Sequence, residues 1–331
     1  MKRVAILDDY LRLALKMADW SALDGLCRLD AIDHSLQTVD EAAEALAPYH
    51  VLCHLRERMP MPRALIERLP NLQCMIITGK SHRTLDTAAA TEQGIVLSHV
   101  TPAGPGNGAT AEIAWGLILS AARHIPLEDG HMHRGGWQHT AGMMLEGRTL
   151  GLLGLGRIGQ RMARIGQAFG MRVIAWSANL TAEAAAAHGV QRVEKEELFR
   201  QADVVSIHLV LSERTHHLVG RAELALMKPE AILVNTSRGP IVDEAALVDA
   251  LARRQIGGAG LDVYDVEPLP DRHPLRELDN AVLTPHLGYA TRETLPAFYA
   301  SMAAGVLAYL KGQPIGVSNP ETLASPRQKL A

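Results

Sequence analysis

The sequence predicts an α/β protein with two doubly wound parallel-sheet domains, one of them inserted into the other. Short apolar runs alternate with helical patterns from the start of the chain, with runs at residues 4–7, 51–55 and 74–78. This alternation is typical of parallel strands joined by crossover helices. A second series of runs begins after the Pro- and Gly-rich segment 101–108. Two such series in one chain indicate two sheets.

The helices and the later strands are predicted in the same way. The first series contains helical patterns near residues 11–25 and at residues 62–69. In the second series, the Ala-rich segment 109–123 is apolar on nearly all faces and predicts a buried or interface helix. A strand, a glycine turn, a helix and another strand follow within residues 149–176. Further strands are predicted at residues 204–209, 231–236, 258–263 and 281–285.

Composition and charge bound the class of protein. The chain has 331 residues, 47% hydrophobic and 21% charged, which is an ordinary globular composition with room for two cored domains. Lys plus Arg is 33 and Asp plus Glu is 36, so the net charge is −3, and no long basic block appears. We therefore expect no nucleic-acid partner.

Membrane, disulfide and metal classes are also disfavoured. No apolar run approaches the roughly 20 residues that span a bilayer, and the run 4–7 is too short for a signal peptide, so we expect a cytoplasmic protein without a membrane partner. The three cysteines include no CxxC pair and predict small buried side chains. His131, His133 and His139 lie in a Gly-rich polar segment without carboxylates, so we predict surface histidines and no metal site.

A GxGxxG pattern follows the predicted strand 149–153 and opens a helix; its glycines are Gly154, Gly156 and Gly159. In this context the first glycine permits a tight turn, the second lets the backbone approach a pyrophosphate, and the third allows close packing of helix and strand. The N–H groups of the helix start, at Arg157 and Ile158, would then bind the anion. The pattern predicts a dinucleotide-binding site.

The residue that follows the next strand bears on the cofactor. An NAD site typically has an Asp or Glu there to bind the ribose 2′-hydroxyl. This chain has Ser177 instead, which removes the repulsion of a 2′-phosphate. No Arg follows within the loop to bind that phosphate, and only Arg157 stands nearby. The sequence therefore predicts NAD(H) or NADP(H) and leaves the choice open.

Three polar residues follow later strands: Arg238, Glu267 and His286. Because ligands bind beyond the carboxyl ends of parallel strands, these side chains are candidates for one site. A carboxylate beside an imidazole fixes its tautomer and favours its protonated form, and a guanidinium binds a carboxylate. Taken singly, each also fits a structural role, as a helix-start surface residue, an exposed loop acid and a core histidine.

Four motifs in this order carry a family resemblance: LGLLGLGRIGQ, NTSRGPIVDEAAL, GLDVYDVEP and TPHLGYAT. The chain resembles the D-isomer-specific 2-hydroxyacid dehydrogenases, which include phosphoglycerate dehydrogenases and glyoxylate/hydroxypyruvate reductases. The resemblance implies an NAD(P)-binding Rossmann domain, residues 102–289, inserted into a flavodoxin-like substrate domain, residues 1–101 plus 290–331. It also implies a homodimer built on the cofactor domains.

The resemblance also assigns roles to residues. It implies that Arg238 binds the carboxylate and carbonyl of the substrate, that His286 is the acid/base, and that Glu267 orients His286. It places Asp262 near the nicotinamide carboxamide. The other residues that it implies in cofactor binding are Ser177, His208, Thr236, His286 and Gly288.

The resemblance places backbone groups that bind the substrate in the loop after the strand 74–78. The matching residues are Gly79, Lys80, Ser81 and His82, which depart from the commoner AGTGVDN-like pattern by their bulk and charge. Arg56 lies where family members that act on phosphorylated substrates place a phosphate-binding Arg, and a solvated strand-end Arg is the alternative. These residues and Arg238 belong to different predicted domains, so we expect the domains to close on the substrate.

The implied function is transfer of a hydride between a nicotinamide cofactor and a D-2-hydroxy acid/2-oxo acid pair. The protein would then be an NAD(P)-dependent D-2-hydroxyacid dehydrogenase. Two alternatives remain open: a non-catalytic NAD(H)-binding sensor or corepressor-like protein, and, among enzymes, a phosphoglycerate dehydrogenase. A formate dehydrogenase is disfavoured, because the partner of the histidine there is a glutamine and Glu267 is acidic.

Overall fold

The computed structural model describes residues 1–80, 82–102, 106–325 and 327. The chain divides into two compact units. Unit 1 consists of Met1–Pro105 and Arg292–Ala331, and unit 2 of Gly106–Thr291. The predicted division, 1–101 plus 290–331 against 102–289, lies within a few residues of this one.

Unit 1 is built on a five-stranded parallel sheet. Its strands are β1 (Lys2–Ile6), β2 (Cys27–Ala31), β3 (Val51–His54), β4 (Cys74–Thr78) and β5 (Val96–Val100). Their order is β2-β1-β3-β4-β5, which is the flavodoxin-like order. The helices are α1 (Ala14–Met17), α2 (Val39–Leu46), α3 (Arg63–Ile66), α4 (Thr87–Glu92) and, from the end of the chain, α12 (Thr294–Leu310). β3 and β4 are buried along their whole length, as expected for strands covered on both faces.

Unit 2 is built on a seven-stranded parallel sheet. Its strands are β6 (Thr149–Leu153), β7 (Arg172–Trp176), β8 (Gln191–Arg192), β9 (Val204–Ile207), β10 (Ile232–Asn235), β11 (Gly258–Leu261) and β12 (Ala281–Leu283). The helices are α5 (Gly106–Arg123), α6 (Ile125–His133), α7 (Arg157–Ala168), α8 (Ala182–Ala186), α9 (Lys195–Gln201), α10 (Arg221–Leu226) and α11 (Glu244–Ala252). The sheet order is β12-β11-β10-β9-β6-β7-β8. It is the Rossmann order with β12 added, and it reverses between β6 and β9, where cofactors bind.

The predicted α/β class with two doubly wound parallel sheets is confirmed, with local differences. In place of a helix near residues 11–25 there are α1 and a short 3₁₀ turn, Ser21–Leu23. The chain returns to extended backbone at Ala18, which ends α1 after one turn. The sequence pattern does not predict β2, β5 or the two-residue strand β8. Charged residues interrupt the apolar pattern of half-exposed β2, and Ser98 and His99 interrupt that of β5.

The structure also bears on the cysteines, on metal binding and on membrane-spanning helices. The three cysteines are buried free thiols, as predicted. Within the described ranges, no group of three or more His, Cys, Asp or Glu residues is arranged to hold a metal ion. No helix in the described part of the chain is long and apolar enough to cross a membrane.

Two buried histidines pack together in unit 1. The rings of His54, the last residue of β3, and His82 are 5.1 Å apart between centroids and nearly perpendicular. Both nitrogens of His54 and Nε2 of His82 are buried without a hydrogen-bond partner among the described residues. Burial lowers the pKa of His82 to about 4 and lowers the pKa of His54 well below its usual value. Both rings are therefore neutral at pH 7.

The free energy of unfolding of unit 1 should fall as the pH falls from about 6.5 toward 4. In this interval the two histidines bind protons in the unfolded chain but stay neutral in the folded protein. Each ring contributes about 1.4 kcal/mol per pH unit in this interval. His54→Phe keeps an aromatic ring but cannot titrate, so its stability should fall less steeply. Urea unfolding followed by circular dichroism from pH 7 to pH 5 measures both slopes, with the exposed His133→Gln as control. Equal slopes for His54→Phe and the wild type would contradict this account.

Candidate active site

Two glycines of the fingerprint are required by close backbone approaches in unit 2, and the third faces open space. Gly154 has φ of +102°, and a Cβ there would lie 2.5 Å from the carbonyl oxygen of His208. A Cβ on Gly159 would lie 2.2 Å from the carbonyl oxygen of Gly154. At Gly156 no described atom comes within 4 Å of the Cβ position. Two glycines therefore permit close packing, and the third leaves open space in front of the backbone, as a pyrophosphate requires.

Helix α7 begins at this open space. Its N-cap residue is Gly156, which has no side chain to bind the first N–H groups of the helix. Arg157, the first helical residue, is exposed, and Ile158 packs against the core of the unit. The N–H groups of an uncapped first turn are suited to an anion. This geometry fits the predicted phosphate contacts at Arg157 and Ile158.

Buried polar atoms at the ends of β9 and β10 also fit a bound ligand. His208 follows β9, and its Nε2 lies 2.9 Å from Oγ of Ser206. Nδ1 of His208 and Oγ1 of Thr236, which follows β10, are buried with no partner among the described residues. Burial lowers the pKa of His208 to about 4, so the ring is neutral. Because buried polar groups are rarely left without partners, these two atoms are suited to a polar cofactor at the reversal of strand order.

The loop after β7 carries Ser177, whose carbonyl oxygen accepts a hydrogen bond from the N–H of Leu180 at 3.1 Å. Arg192 of the neighbouring strand β8 reaches the same loop. Its Nε donates to the carbonyl oxygen of Leu180 at 3.1 Å, and its Nη1 pairs with Glu194 at 2.6 Å. The sequence analysis missed this cation, because it lies beyond helix α8 in the chain and is close to Ser177 only through strand pairing.

The structure brings Glu267 and His286 into contact. Nδ1 of His286 lies 2.5 Å from Oε2 of Glu267, and each side chain is about one quarter exposed. The other carboxylate oxygen of Glu267 accepts a hydrogen bond from the N–H of Tyr264 at 3.0 Å. Since Nδ1 faces the carboxylate, it carries the proton in the neutral ring. Nε2 is then the nitrogen that can exchange a proton with another molecule.

The turn that carries His286 is held by the buried carboxylate of Asp262. This carboxylate accepts hydrogen bonds from the hydroxyl of Thr284 at 2.6 Å and from the N–H groups of Leu287 and Gly288 at 2.7 and 2.8 Å. His286 itself has a positive φ of 54°, a strained conformation that such bonds can maintain. Burial raises the pKa of Asp262. Positioning this turn is a role of Asp262 that the sequence analysis did not anticipate.

Arg238 lies in a turn after β10 that is fixed by neighbouring polar groups. The amide of Asn235 donates to the carbonyl oxygen of Arg238 at 2.9 Å and accepts from the N–H of Ser237 at 3.0 Å. The guanidinium of Arg238 donates to the carbonyl oxygen of Ser237 at 2.7 Å. The side chain is half-buried.

Gly239 joins the Arg238 turn to the loop of Glu267. A Cβ on Gly239 would lie 2.0 Å from the carbonyl carbon of Tyr264, so the two backbones are in direct contact. Strands β10, β11 and β12 are neighbours in the sheet, and the three predicted catalytic residues follow them in that order. Arg238, Glu267 and His286 therefore lie at one edge of unit 2.

In unit 1, the predicted substrate loop lies beside Arg56. The N–H of Arg56 donates to Oγ1 of Thr78 at 2.9 Å, and Arg56 has a positive φ of 63°. A Cβ on Gly79 would lie 2.7 Å from Nη1 of Arg56, so the guanidinium packs against this glycine. Lys80 is exposed, whereas the ring of His82 is buried against His54. Ser81 lies outside the described residues.

Comparison with known proteins identifies the family. The family model for the D-isomer specific 2-hydroxyacid dehydrogenase, NAD binding domain, matches residues 115–288. A glyoxylate reductase of Aeropyrum pernix is 42% identical over 258 residues, which are 75% of this chain and 76% of that protein. The chain belongs to the D-isomer specific 2-hydroxyacid dehydrogenase family. The matched segment contains the glycine fingerprint, Arg238, Glu267 and His286.

Other members of the family match almost the whole chain. A hydroxypyruvate reductase of Blautia hydrogenotrophica is 30% identical over 326 residues, 96% of this chain and 99% of that protein. The crystal structure of a phosphoglycerate oxidoreductase from Vibrio cholerae superposes with a TM-score of 0.87 at 34% identity, covering 94% of this chain and 99% of that chain. The comparisons confirm the prediction of an NAD(P)-dependent D-2-hydroxyacid dehydrogenase over a non-catalytic sensor.

Proposed function

We propose that Arg238, Glu267 and His286 form the catalytic site for reversible reduction of a 2-oxo acid to a D-2-hydroxy acid. The observation that carries this proposal is the 2.5 Å contact between His286 and Glu267 at the edge of unit 2 where Arg238 also lies. An imidazole oriented by a carboxylate is suited to proton transfer. A nearby guanidinium is suited to a carboxylate ligand.

In the proposed mechanism the cofactor supplies or accepts the hydride, and the protein transfers the proton and binds the substrate. The bound nicotinamide supplies the hydride in reduction and accepts it in oxidation. Nε2 of His286 donates a proton to the developing alkoxide in reduction and removes it in oxidation. Glu267 holds the ring by Nδ1 and stabilises its protonated form. The guanidinium of Arg238 binds the carboxylate of the substrate and polarises its 2-oxo group.

We assign the cofactor contacts to the carboxyl edge of the unit 2 sheet. Gly156 and the helix start at Arg157 and Ile158 would bind the pyrophosphate, with Gly154 and Gly159 shaping the turn. Ser177 would face the adenosine ribose. His208, Thr236, Asp262, His286 and Gly288 would surround the nicotinamide end, where the two buried atoms without partners support a polar ligand.

We propose a small 2-oxo acid as substrate, in the range of glyoxylate and hydroxypyruvate that the names of the relatives indicate. In unit 1, backbone groups of the loop that contains Gly79, Lys80, Ser81 and His82 would contribute to binding. The contact of the Arg56 guanidinium with Gly79 favours a second candidate, a substrate with a further anionic group such as a phosphorylated 2-oxo acid. That candidate corresponds to phosphoglycerate dehydrogenase activity.

We propose a homodimer in which large apolar side chains on and after α6 form part of the interface. Ile125, Met132, Trp137 and Met144 are all exposed in the single chain, and Trp137 is 73% exposed. Light scattering should give twice the chain mass of 35.9 kDa, and a monomer would contradict this. The three free thiols support a reducing, cytoplasmic location, which cell fractionation tests.

Replacing His286 by Ala should lower turnover by about 100-fold or more, because the proton donor is lost while the other proposed cofactor contacts remain. Turnover is measured with glyoxylate, hydroxypyruvate and NADH by the loss of absorbance of NADH, and cofactor binding by its fluorescence. Unchanged turnover in this variant would refute the assignment of the acid/base. A loss of NADH binding would instead indicate a structural role for the residue.

Ser177→Asp should shift preference strongly toward NADH, because a carboxylate binds the ribose hydroxyl and repels a 2′-phosphate. In the wild type we expect NADPH to bind at most about tenfold more weakly than NADH, since Ser177 carries no charge. Titration of both cofactors against both proteins measures the preference. A wild-type preference for NADH above about 100-fold would show that another residue rejects the phosphate.

Arg56→Ala should weaken transition-state binding of dianionic 2-oxo acids by about 1 to 3 kcal/mol and leave glyoxylate nearly unchanged, because glyoxylate has no second anionic group. Arg56→Lys should restore little, since Lys lacks the fork of two donors. The ratio kcat/KM for phosphohydroxypyruvate and for glyoxylate measures the effect. Equal losses on both substrates would mean that Arg56 only supports the loop.

A further inference from the structure

A second carboxylate contacts the loop that carries Glu267. Oε2 of Glu244 accepts a hydrogen bond from the N–H of Asp265 at 3.3 Å. Asp265 follows Tyr264, whose own N–H donates to Oε1 of Glu267. Two successive backbone N–H groups of this loop segment therefore donate to carboxylates, that of Tyr264 to Glu267 and that of Asp265 to Glu244. A displacement of this segment would move the carboxylate that contacts His286.

Glu244 is itself fixed by His273. Nε2 of His273 lies 3.0 Å from Oε1 of Glu244, and both side chains are 18% exposed. Nδ1 of His273 accepts a hydrogen bond from the N–H of Leu275 at 3.3 Å. A neutral ring whose Nδ1 is an acceptor carries its proton on Nε2, so His273 donates to Glu244 without being charged.

The position of Glu244 in its helix adds to this restraint. Glu244 is the first residue of α11, where the helix dipole favours a negative charge. The preceding residue, Asp243, caps the helix by accepting from the N–H of Ala246 at 3.0 Å. Glu244 therefore extends from a rigid helix start, and its reach to Asp265 is set by the fold of unit 2.

The side chain of Glu244 has to provide two hydrogen-bond acceptors. The N–H of Asp265 and Nε2–H of His273 both point at the side chain of Glu244, and a carboxylate offers one oxygen to each. A glutamine offers a single acceptor, so its NH₂ group would face one of the two donors. The negative charge of Glu244 disfavours ionisation of its neighbour Asp265. Burial and the nearby Glu244 both raise the pKa of Asp265.

We propose that Glu244 and His273 are positioning residues of the dehydrogenase reaction, which hold the segment 264–267 so that Glu267 meets Nδ1 of His286. This inference rests on the proposed roles of Glu267 and His286. Neither residue touches the reacting atoms, and both act through the backbone N–H of Asp265. The pair therefore affects proton transfer while leaving cofactor binding at the glycine turn unchanged.

Glu223 provides a matched control in the same unit. Its Oε2 accepts from the N–H of Gly220 at 2.9 Å, its Oε1 pairs with Lys195 at 2.8 Å, and the side chain is 15% exposed. Glu223 thus bonds to one backbone N–H and one side chain, as Glu244 does, but it contacts no residue of segment 264–267. Glu223→Gln reports the general cost of losing such a carboxylate.

The first measurement is spectroscopic. A proton held between Nδ1 of His286 and Glu267 at 2.5 Å should give a resonance far downfield in the proton spectrum, and it is assigned by its loss in His286→Gln. Glu244→Gln should shift this resonance upfield or broaden it, and Glu223→Gln should leave it in place. An unchanged resonance in Glu244→Gln would overturn the proposal.

The second measurement is kinetic. With glyoxylate and NADH, Glu244→Gln should lower kcat by about 10- to 100-fold, the scale expected when a catalytic group is displaced by about 1 Å. The Kd of NADH should stay within about twofold, since the cofactor turn is untouched, and Glu223→Gln should change neither value. Loss of NADH affinity in parallel with kcat would mean that Glu244 only supports the fold.

Two variants of His273 test the same chain of contacts if Glu244→Gln fails to fold. His273→Gln places an amide N–H near the position of Nε2 and should keep the resonance and most of kcat. His273→Asn provides only the shorter group, near Nδ1, and should lose both. Identical behaviour of the two variants would overturn the proposed contact.

Failure of this inference is distinguishable from failure of the proposed function. A large loss of turnover in His286→Ala, with Glu244→Gln like the wild type, overturns the positioning role alone. Unchanged turnover in His286→Ala overturns the proposed catalytic site, and with it any effect of Glu244 on the reaction.

Discussion

The hydrogen bond between His286 and Glu267 joins two loops that leave neighbouring strands of the unit 2 sheet. Neither loop would hold its residue in place alone, because each has a backbone with few regular hydrogen bonds. Asp262 holds the turn of His286 with three hydrogen bonds, and Tyr264 and Glu244 restrain the loop of Glu267. The contact of imidazole and carboxylate therefore depends on the hydrogen bonds that the carboxylates of Asp262 and Glu244 accept and that the N–H of Tyr264 donates.

Close backbone contacts at three glycines hold together the loops at the carboxyl edge of the unit 2 sheet. Gly154, Gly159 and Gly239 each approach a neighbouring backbone so closely that a Cβ would lie within 2.5 Å of it. Gly154 brings the ends of β6 and β9 together at the reversal of strand order, and Gly159 packs the start of α7 against the same turn. Gly239 packs the turn after β10 against the loop after β11. Polar atoms without partners among the described residues remain there on His208 and Thr236, where burial alone would be unfavourable. A bound nicotinamide cofactor can satisfy them.

In unit 1, polar side chains at the carboxyl ends of β3 and β4 are unfavourable for stability. His54 and His82 are buried and neutral, and Arg56 adopts a strained backbone with its guanidinium against Gly79. Such features reduce stability unless the surrounding structure compensates, and they often occur where a protein binds a ligand. His54 and Arg56 lie beside the loop that is proposed to bind the substrate, and His82 belongs to that loop.

The sequence by itself determined the two series of strands, the glycine turn, and the identity of Arg238, Glu267 and His286 as polar residues after strands. These features are local, because apolar periodicity and glycine spacing are read within a few residues. It did not predict β2 and β5, whose apolar patterns polar and charged residues interrupt, or β8, which consists of two polar residues.

Only the tertiary structure decided which groups surround the candidate site. Asp262 bonds to a turn more than twenty residues away, Arg192 reaches the loop of Ser177 across a strand pair, and Glu244 meets His273 and Asp265. No local pattern encodes these contacts, because they form between segments that the sheet order brings together. The same reason explains His82, which was predicted in a substrate loop and whose ring packs into the interior of unit 1 against His54.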